Sequence, residues 1–84
     1  MEGATEHRAD LSVDELAERS GVTVRTIRFY QSEGLLPLPG RHGREARYGP
    51  AHVERLDLIA DLQARGLRLH AIAELLDRAG GEAP

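Results

Sequence analysis

The sequence predicts a small, mainly α-helical domain of about four helices with one short β-hairpin between the second and third. Two observations lead to this fold class. Apolar residues recur at helical spacing in four stretches, and serine, threonine, proline or glycine marks most of their ends. Residues 37–48 contain two prolines and two glycines, which interrupt a helix and favour turns. With 84 residues, the chain can build one modest core.

Residues 11–79 are expected to form the folded part. Residues 1–10 are polar, rich in acidic side chains and without periodicity, which predicts a disordered tail. Residues 80–84 include two glycines and a proline and predict a flexible end. The sequence shows no apolar stretch long enough for a membrane span and no secretory signal, so we expect a cytoplasmic protein without a membrane partner.

The first helix is predicted to begin after Ser12 and to end near residue 20. Glu15 follows Ser12 at the spacing of a capping box, in which the glutamate accepts a hydrogen bond from the backbone N–H of the cap. Leu16 belongs to an apolar face at helical spacing. Gly21 can adopt the left-handed conformation that often ends a helix.

A second helix is predicted from its N-cap Thr23 to about residue 33, before Gly34. Only a short turn that contains Gly21 separates it from the first helix, which is the spacing of a helix-turn-helix. Ile27 and Tyr30 share one side of this helix, and we expect that side to pack on the first helix.

The opposite side of the second helix is unusual. Arg25, Arg28, Phe29 and Ser32 lie at i, i+3, i+4 and i+7, so the only phenylalanine of the chain stands exposed between two arginines. Such a face suits the major groove of DNA, where arginine contacts bases or phosphates. A surface cation–π stack or a protein-binding patch would have the same residues.

Residues 37–48 predict a small basic wing. Turn residues occupy 40–45, and residues 46–48 are expected to form a short returning strand. The segment contributes three arginines, Arg41, Arg44 and Arg47, and its glycines let the backbone approach a phosphate. Together with the two preceding helices, the wing gives a winged helix-turn-helix, although a flexible basic loop has a similar composition.

A second helix pair is predicted behind the wing, over residues 50–65 and 69–79. Pro50 suits a first helical turn, and Gly66 suits a helix end. Leu58 and Leu75 lie beside the apolar faces of these helices and are expected to widen them.

Charge is distributed unevenly along the chain, whose net charge is −3. Residues 1–18 carry −5, residues 19–55 carry +4 and residues 56–84 carry −2, and all 11 basic residues are arginines. Because phosphate contacts are local, the basic middle matters more than the total charge. The pattern is compatible with a nucleic-acid partner for the middle of the chain, although a solvated basic loop has the same charge distribution.

Other chemistries find little support in the sequence. There is no cysteine, and the four histidines, at positions 7, 42, 52 and 70, are far apart and lack the spacing of metal ligands. No phosphate-binding loop with its Lys-Ser/Thr pair and no serine–histidine–acid set is present. We therefore expect no metal, no cofactor and no enzymatic activity.

The chain resembles the N-terminal DNA-binding domain of the MerR family of bacterial transcription regulators. The resemblance covers about residues 11–78 and rests on the string Gly-Val-x-x-Arg-Thr-Ile-Arg-Phe-Tyr at 21–30 and on Gly-Leu-Leu-Pro at 34–37. Arg-Tyr at 47–48, Arg-Leu at 55–56, Ile59, Leu67 and Ile72 extend it. It implies that the 23–33 helix enters the major groove of double-stranded DNA and that the wing holds the backbone. The candidate DNA-contacting residues are Thr23, Arg25, Thr26, Arg28, Phe29, Tyr30, Arg41, His42, Arg44, Arg47 and Tyr48.

Three departures from the family pattern matter. Ala46 stands where the family usually has an arginine of the wing, and Gly49 stands where it usually has a serine or threonine cap. Family members usually continue into a long dimerisation helix and often an effector domain, and we expect this chain to lack both. The resemblance implies that the protein acts at a promoter together with RNA polymerase. It implies a homodimer only if a longer chain or head-to-tail contacts on DNA supply the dimer interface.

Two alternatives stay open at the level of the sequence. Proteins that are similar in fold serve as protein-interaction modules of the adaptor or co-chaperone modulator type, and the exposed arginine–phenylalanine face would also suit a protein partner. An architectural DNA binder similar to an excisionase would use the same helix and wing as a regulator. A DNA-binding measurement would distinguish a regulator from a protein-interaction module. It would not distinguish a regulator from an architectural DNA binder.

Overall fold

Four helices and one β-hairpin make up the part of the chain, residues 10–81, that the computed structural model describes. The elements in chain order are α1 (Val13–Ser20), α2 (Val24–Ser32), β1 (Gly40–His42), β2 (Glu45–Arg47), α3 (Pro50–Ala64) and α4 (Leu69–Gly81). The two strands form one antiparallel pair. This architecture confirms the predicted mainly α-helical winged helix-turn-helix. The predicted disorder of the N-terminal tail lies outside the described residues except at residue 10.

The capping box predicted at the start of α1 is present. Ser12 Oγ accepts from the backbone N–H of Glu15 at 3.1 Å, and Glu15 Oε1 accepts from the backbone N–H of Ser12 at 2.8 Å. Gly21 ends the helix with φ +76°, and its N–H donates to the carbonyl of Ala17. Both ends of α1 are therefore set by local residues, as the sequence predicts.

The capping carboxylate makes the stability of α1 sensitive to acid. The pKa of Glu15 lies below its ordinary value of 4.5, chiefly because the backbone N–H of Ser12 donates to the carboxylate. A carboxylate whose pKa is lower in the folded state than in the unfolded state stabilises the fold at pH values above its ordinary pKa. This stabilisation is lost as the pH falls through the lowered pKa. We expect Glu15→Gln, which keeps an acceptor oxygen but does not titrate, to lose less stability on acidification below pH 4.5 than the wild type.

Urea unfolding at a series of pH values measures this difference. Glu18→Gln, an exposed position on the same helix, is the matched control and is expected to behave as the wild type does between the same pH values. Identical acid sensitivity of the Glu15→Gln variant and the wild type would contradict the prediction.

α2 begins and ends at the residues that the sequence indicates. Thr23 is the N-cap, and its Oγ1 accepts from the backbone N–H of Thr26 at 3.1 Å. The helix ends before Gly34, whose φ of +76° is a conformation that glycine adopts without steric cost. The turn from α1 to α2 spans only residues 21–23, which is the short connection of a helix-turn-helix.

The hairpin is more regular than the sequence indicates. Residues 40–45 are expected to be a turn, but the turn is confined to Gly43 and Arg44, while residues 40–42 and 45–47 pair as strands in the register His42↔Glu45. Gly43, the first residue of this two-residue turn, has φ +63°, whereas Arg44, the second, does not have a positive φ. Positive φ at the first turn residue alone is typical of a type II′ turn. Cross-strand pairing therefore places residues 40–42 and 45 in strands, although turn propensity alone assigns them to the loop.

One core joins both helix pairs and the base of the wing. Ile27 and Tyr30 face inward from α2, which confirms the side predicted to pack. The buried apolar set comprises Leu16, Ile27, Tyr30, Leu35, Leu36, Tyr48, Leu56, Ile59 and Ile72. Leu11 adds an isolated antiparallel bridge to Tyr48, with both backbone hydrogen bonds at 2.8 Å. The first described residues are thereby attached to the end of the wing.

The second helix pair differs from the prediction in two details. α4 ends at Gly81, two residues beyond the predicted end, because glycine is a weak helix former but is not excluded from a continuing helix. The rest of the predicted flexible end lies outside the described residues. Leu58 and Leu75, expected beside the core, are exposed by 40% and 46%. No helix of the described part is long and apolar enough to cross a membrane.

Candidate nucleic-acid interface

The outer face of α2 presents arginine and aromatic side chains to solvent. Arg25, Arg28 and Ser32 are exposed, and Phe29 keeps 48% of its surface accessible. Neither arginine forms an ion pair with any residue of the described part of the chain. The face therefore has two guanidinium groups and a flat ring available to a partner, as the sequence predicts.

Two threonines fix the N-terminal end of this face. Thr23 Oγ1 accepts from the backbone N–H of Thr26 and donates to Thr26 Oγ1 at 3.0 Å. Thr23 is exposed and Thr26 is half-buried. The Thr23 hydroxyl therefore caps the helix, and the Thr26 hydroxyl accepts its hydrogen bond. A contact of either threonine with DNA stays a prediction.

The two tyrosines of the candidate set lie mainly in the core. Tyr30 and Tyr48 are buried, and the hydroxyl of Tyr48 donates to Gln31 Oε1 at 3.2 Å. The ring of Tyr48 packs edge-on against the ring of His52, with centroids 5.0 Å apart. These rings lie behind the exposed face of α2, and a contact of either tyrosine with DNA stays a prediction.

The three wing arginines are not equivalent. Arg41 and Arg44 are exposed and form no ion pair within residues 10–81. Arg47 is half-buried: its Nη1 donates to the carbonyl of Asp10 at 3.2 Å, and its Nη2 lies 3.1 Å from Glu45 Oε1. Arg47 therefore holds the wing against the start of the described chain. Arg41 and Arg44 are the wing cations best placed for a ligand, with the exposed His42 between them.

Two residues that sequence reasoning did not assign to the site hold the segment between α2 and β1. His52 Nε2 lies 3.1 Å from the carbonyl oxygen of Pro37, and Arg55 Nη1 donates to the carbonyl of Leu35 at 2.7 Å. His52 Nδ1 also accepts from the backbone N–H of Gly49 at 3.0 Å. A histidine three residues after a glycine N-cap is the one local signal that could have indicated its capping role.

The electrostatics of the region are simple. α2 and the wing carry basic side chains outward, and Glu45, the one acidic residue of these elements, is paired with Arg47. The acidic residues of α1, Asp14, Glu15 and Glu18, are exposed on another element. Among residues 10–81, no group of three or more histidine, aspartate or glutamate side chains is arranged to hold a metal ion. The arrangement favours binding of an extended anion by the basic elements.

Comparison with known proteins gives consistent matches over the same region. A family profile described as MerR HTH family regulatory protein matches residues 11–79. The mercuric resistance operon regulatory protein of Serratia marcescens is 46% identical over 68 residues, which are 80% of this chain and 47% of that protein. A transcription regulator from Ralstonia metallidurans CH34, solved in complex with lead(II), superposes with a TM-score of 0.78 at 35% identity, over 88% of this chain and 59% of that one.

A further similar structure was solved with DNA bound. A MerR family regulator lacking the sensor domain, solved bound to promoter DNA, superposes with a TM-score of 0.73 at 30% identity. The match covers 82% of this chain and 53% of that one. The chain thus spans about half the length of the relatives that it matches.

Proposed function

The chain belongs to the MerR HTH family of regulatory proteins, and from this premise we propose that it binds double-stranded DNA as a transcriptional regulator. α2 enters the major groove, and the wing holds the flanking phosphate backbone. In this role the chain acts by binding and not by catalysis.

The exposed face of α2 is the observation that carries the proposal. Arg25 and Arg28 stand at i and i+3 on the second helix of a helix-turn-helix, the helix that lies in the major groove in this class of DNA-binding domain. Guanidinium groups donate in a fixed fork that matches the acceptors of guanine and of phosphate. Ile27, buried on the other side, fixes this face outward.

The wing supplies the second half of the interface. Arg41 and Arg44 lie in a hairpin whose turn contains Gly43, so the backbone itself can come close to a phosphate. Such contacts set the position of the protein on the duplex and carry no sequence information. We propose that Arg41 and Arg44 contact phosphates, while Arg25 and Arg28 contact bases or phosphates in the groove.

Two finer proposals concern other partners. The first is a position beside RNA polymerase at a promoter; the MerR family regulator solved bound to promoter DNA supports the promoter part of it. Copies of the chain arranged head to tail on DNA would supply the contacts of an oligomer, whereas a longer chain would supply a dimerisation helix. Native mass spectrometry of the chain on a selected site counts the copies bound and distinguishes single occupancy from a row of copies.

Fluorescence anisotropy with sheared bacterial genomic DNA tests the proposal, using the chain at about 50 and 200 mM salt. We expect binding that weakens steeply with salt, because each phosphate contact releases counterions. Sequence selection with the same chain then identifies the preferred site. Absence of binding at low salt would overturn the proposal and would favour a protein partner for the exposed arginine–phenylalanine face.

Arg44→Ala tests the role of the wing. We expect the variant to bind all sequences more weakly and to lower the slope of log affinity against log salt by about 1, because one phosphate contact is lost. Arg78→Ala, an exposed arginine in the last turn of α4, is the matched control and should leave the slope unchanged. A change in the preferred sequence of the Arg44→Ala variant would contradict a pure backbone role.

A further inference from the structure

The segment that joins α2 to β1 is held by side chains of α3 and not by strand pairing. Pro37 and Pro39 have no backbone N–H to donate. The carbonyl of Leu35 accepts from Arg55, and the carbonyl of Pro37 lies within hydrogen-bond distance of His52. α3 therefore fixes the path by which the chain leaves α2 and enters the wing.

His52 also holds the other end of the wing. Its Nδ1 accepts from the backbone N–H of Gly49 at 3.0 Å, so this nitrogen carries no proton. The proton is then on Nε2, which donates to the carbonyl of Pro37 at 3.1 Å, and one neutral tautomer satisfies both bonds. The side chain is only 6% exposed, so water does not easily replace either partner. A single imidazole thus joins the two residues that flank the hairpin.

Tyr48 connects the same imidazole to α2. Its ring packs edge-on against the ring of His52, with an interplanar angle of 80°. Its hydroxyl donates to Gln31 on α2. The wing, α2 and α3 therefore meet at one partly buried polar cluster, in which the His52 side chain makes two hydrogen bonds.

We propose that His52 is a positioning residue of the DNA interface. By tying Pro37 and Gly49 to α3, it sets where Arg41 and Arg44 stand relative to α2. Loosening either tie lets the wing move away from the phosphates while α2 keeps its contacts in the groove. The inference rests on the proposed function, since it concerns how two parts of that interface are held in one geometry.

Two variants separate the two hydrogen bonds of His52. His52→Asn places an acceptor near the position of Nδ1 and preserves the bond from Gly49, but it is too short to reach Pro37. His52→Gln reaches the position of Nε2 and preserves a donor to Pro37, but it offers no acceptor at the position of Nδ1. His70→Asn, the same change at an exposed position of α4, is the matched control.

A double-mutant cycle on DNA affinity provides the decisive measurement. We expect His52→Asn to weaken binding about fivefold, the effect of one lost hydrogen bond, and to lower the salt slope as Arg44→Ala does. In the His52→Asn background, the effect of Arg44→Ala should shrink by at least about twofold, because a displaced wing no longer uses that arginine. The effect of Arg28→Ala should stay as it is in the wild type. A role in stability alone would affect both arginines equally.

The outcomes separate this inference from the proposed function. Absence of salt-dependent binding by the wild type overturns the proposed function and the inference with it. Full additivity of His52→Asn with Arg44→Ala, in a wild type that binds, overturns only the role of His52. If circular dichroism shows that the His52→Asn variant is unfolded, the same double-mutant cycle with His52→Gln in its place tests the role of His52. Loss of the folded state in both variants would assign His52 to core stability and would overturn the inference as well.

Discussion

Leu16→Ala is expected to lower the free energy of unfolding by about 2–5 kcal/mol, the usual cost of a cavity at a leucine site. Leu16 is 0% exposed, and it is the one fully buried side chain that α1 contributes to the core. A domain of this size has a total stability near the lower end of about 5–15 kcal/mol. The substitution therefore removes much of the stability of the fold, and DNA binding should be lost with it.

Urea unfolding followed by circular dichroism measures this effect, with Leu38→Ala as the matched control. The chemical change is the same, but Leu38 is 90% exposed, so its cost should stay within about 0.5 kcal/mol. Equal costs at the two positions would show that the described core does not carry the stability of the chain.

Arg28→Ala is expected to weaken binding to the preferred site by about 1–3 kcal/mol, or about 5- to 150-fold, if the guanidinium contacts a base. The reason is geometric: Arg28 is exposed on the outer face of α2, away from the side on which Ile27 and Tyr30 are buried. Fluorescence anisotropy with the selected site and with a scrambled duplex measures both affinity and discrimination. Unchanged affinity and unchanged sequence preference would contradict the assignment.

Arg28→Lys distinguishes a base contact from a phosphate contact. Lysine keeps the positive charge but lacks the planar fork that donates two parallel hydrogen bonds to guanine. If Arg28 contacts a base, the lysine variant should lose discrimination between the selected and scrambled duplexes. If Arg28 contacts a phosphate, the lysine variant should bind nearly as the wild type does.

Local sequence signals were sufficient for the boundaries of the first two helices. Ser12 with Glu15, and Thr23 with the backbone of Thr26, satisfy N–H groups within three residues of themselves. Positive φ at Gly21 depends on the residue and its immediate neighbours. Because these interactions span less than one helical turn or one tight turn, they are readable from the chain without knowledge of the rest of the fold.

The wing shows where local reasoning fails. Turn propensity assigns residues 40–45 to a loop, but strand pairing across Gly43 and Arg44 shortens the turn to two residues. Composition treats Arg41, Arg44 and Arg47 alike, whereas only Arg47 meets the carbonyl of Asp10, 37 residues away in sequence. A long-range contact therefore distinguishes Arg47 from the two exposed wing arginines.

The sequence by itself determined the fold class, the helix-turn-helix and the exposed arginine–phenylalanine face of α2. Those features follow from helical periodicity and from caps, and both are local properties. Only the tertiary structure decided that Tyr48 is buried, that Arg47 is engaged and that His52 bonds to Pro37 and Gly49. The physical reason is that a buried polar group takes whichever partner the packing brings within reach, and that partner is set by the whole fold.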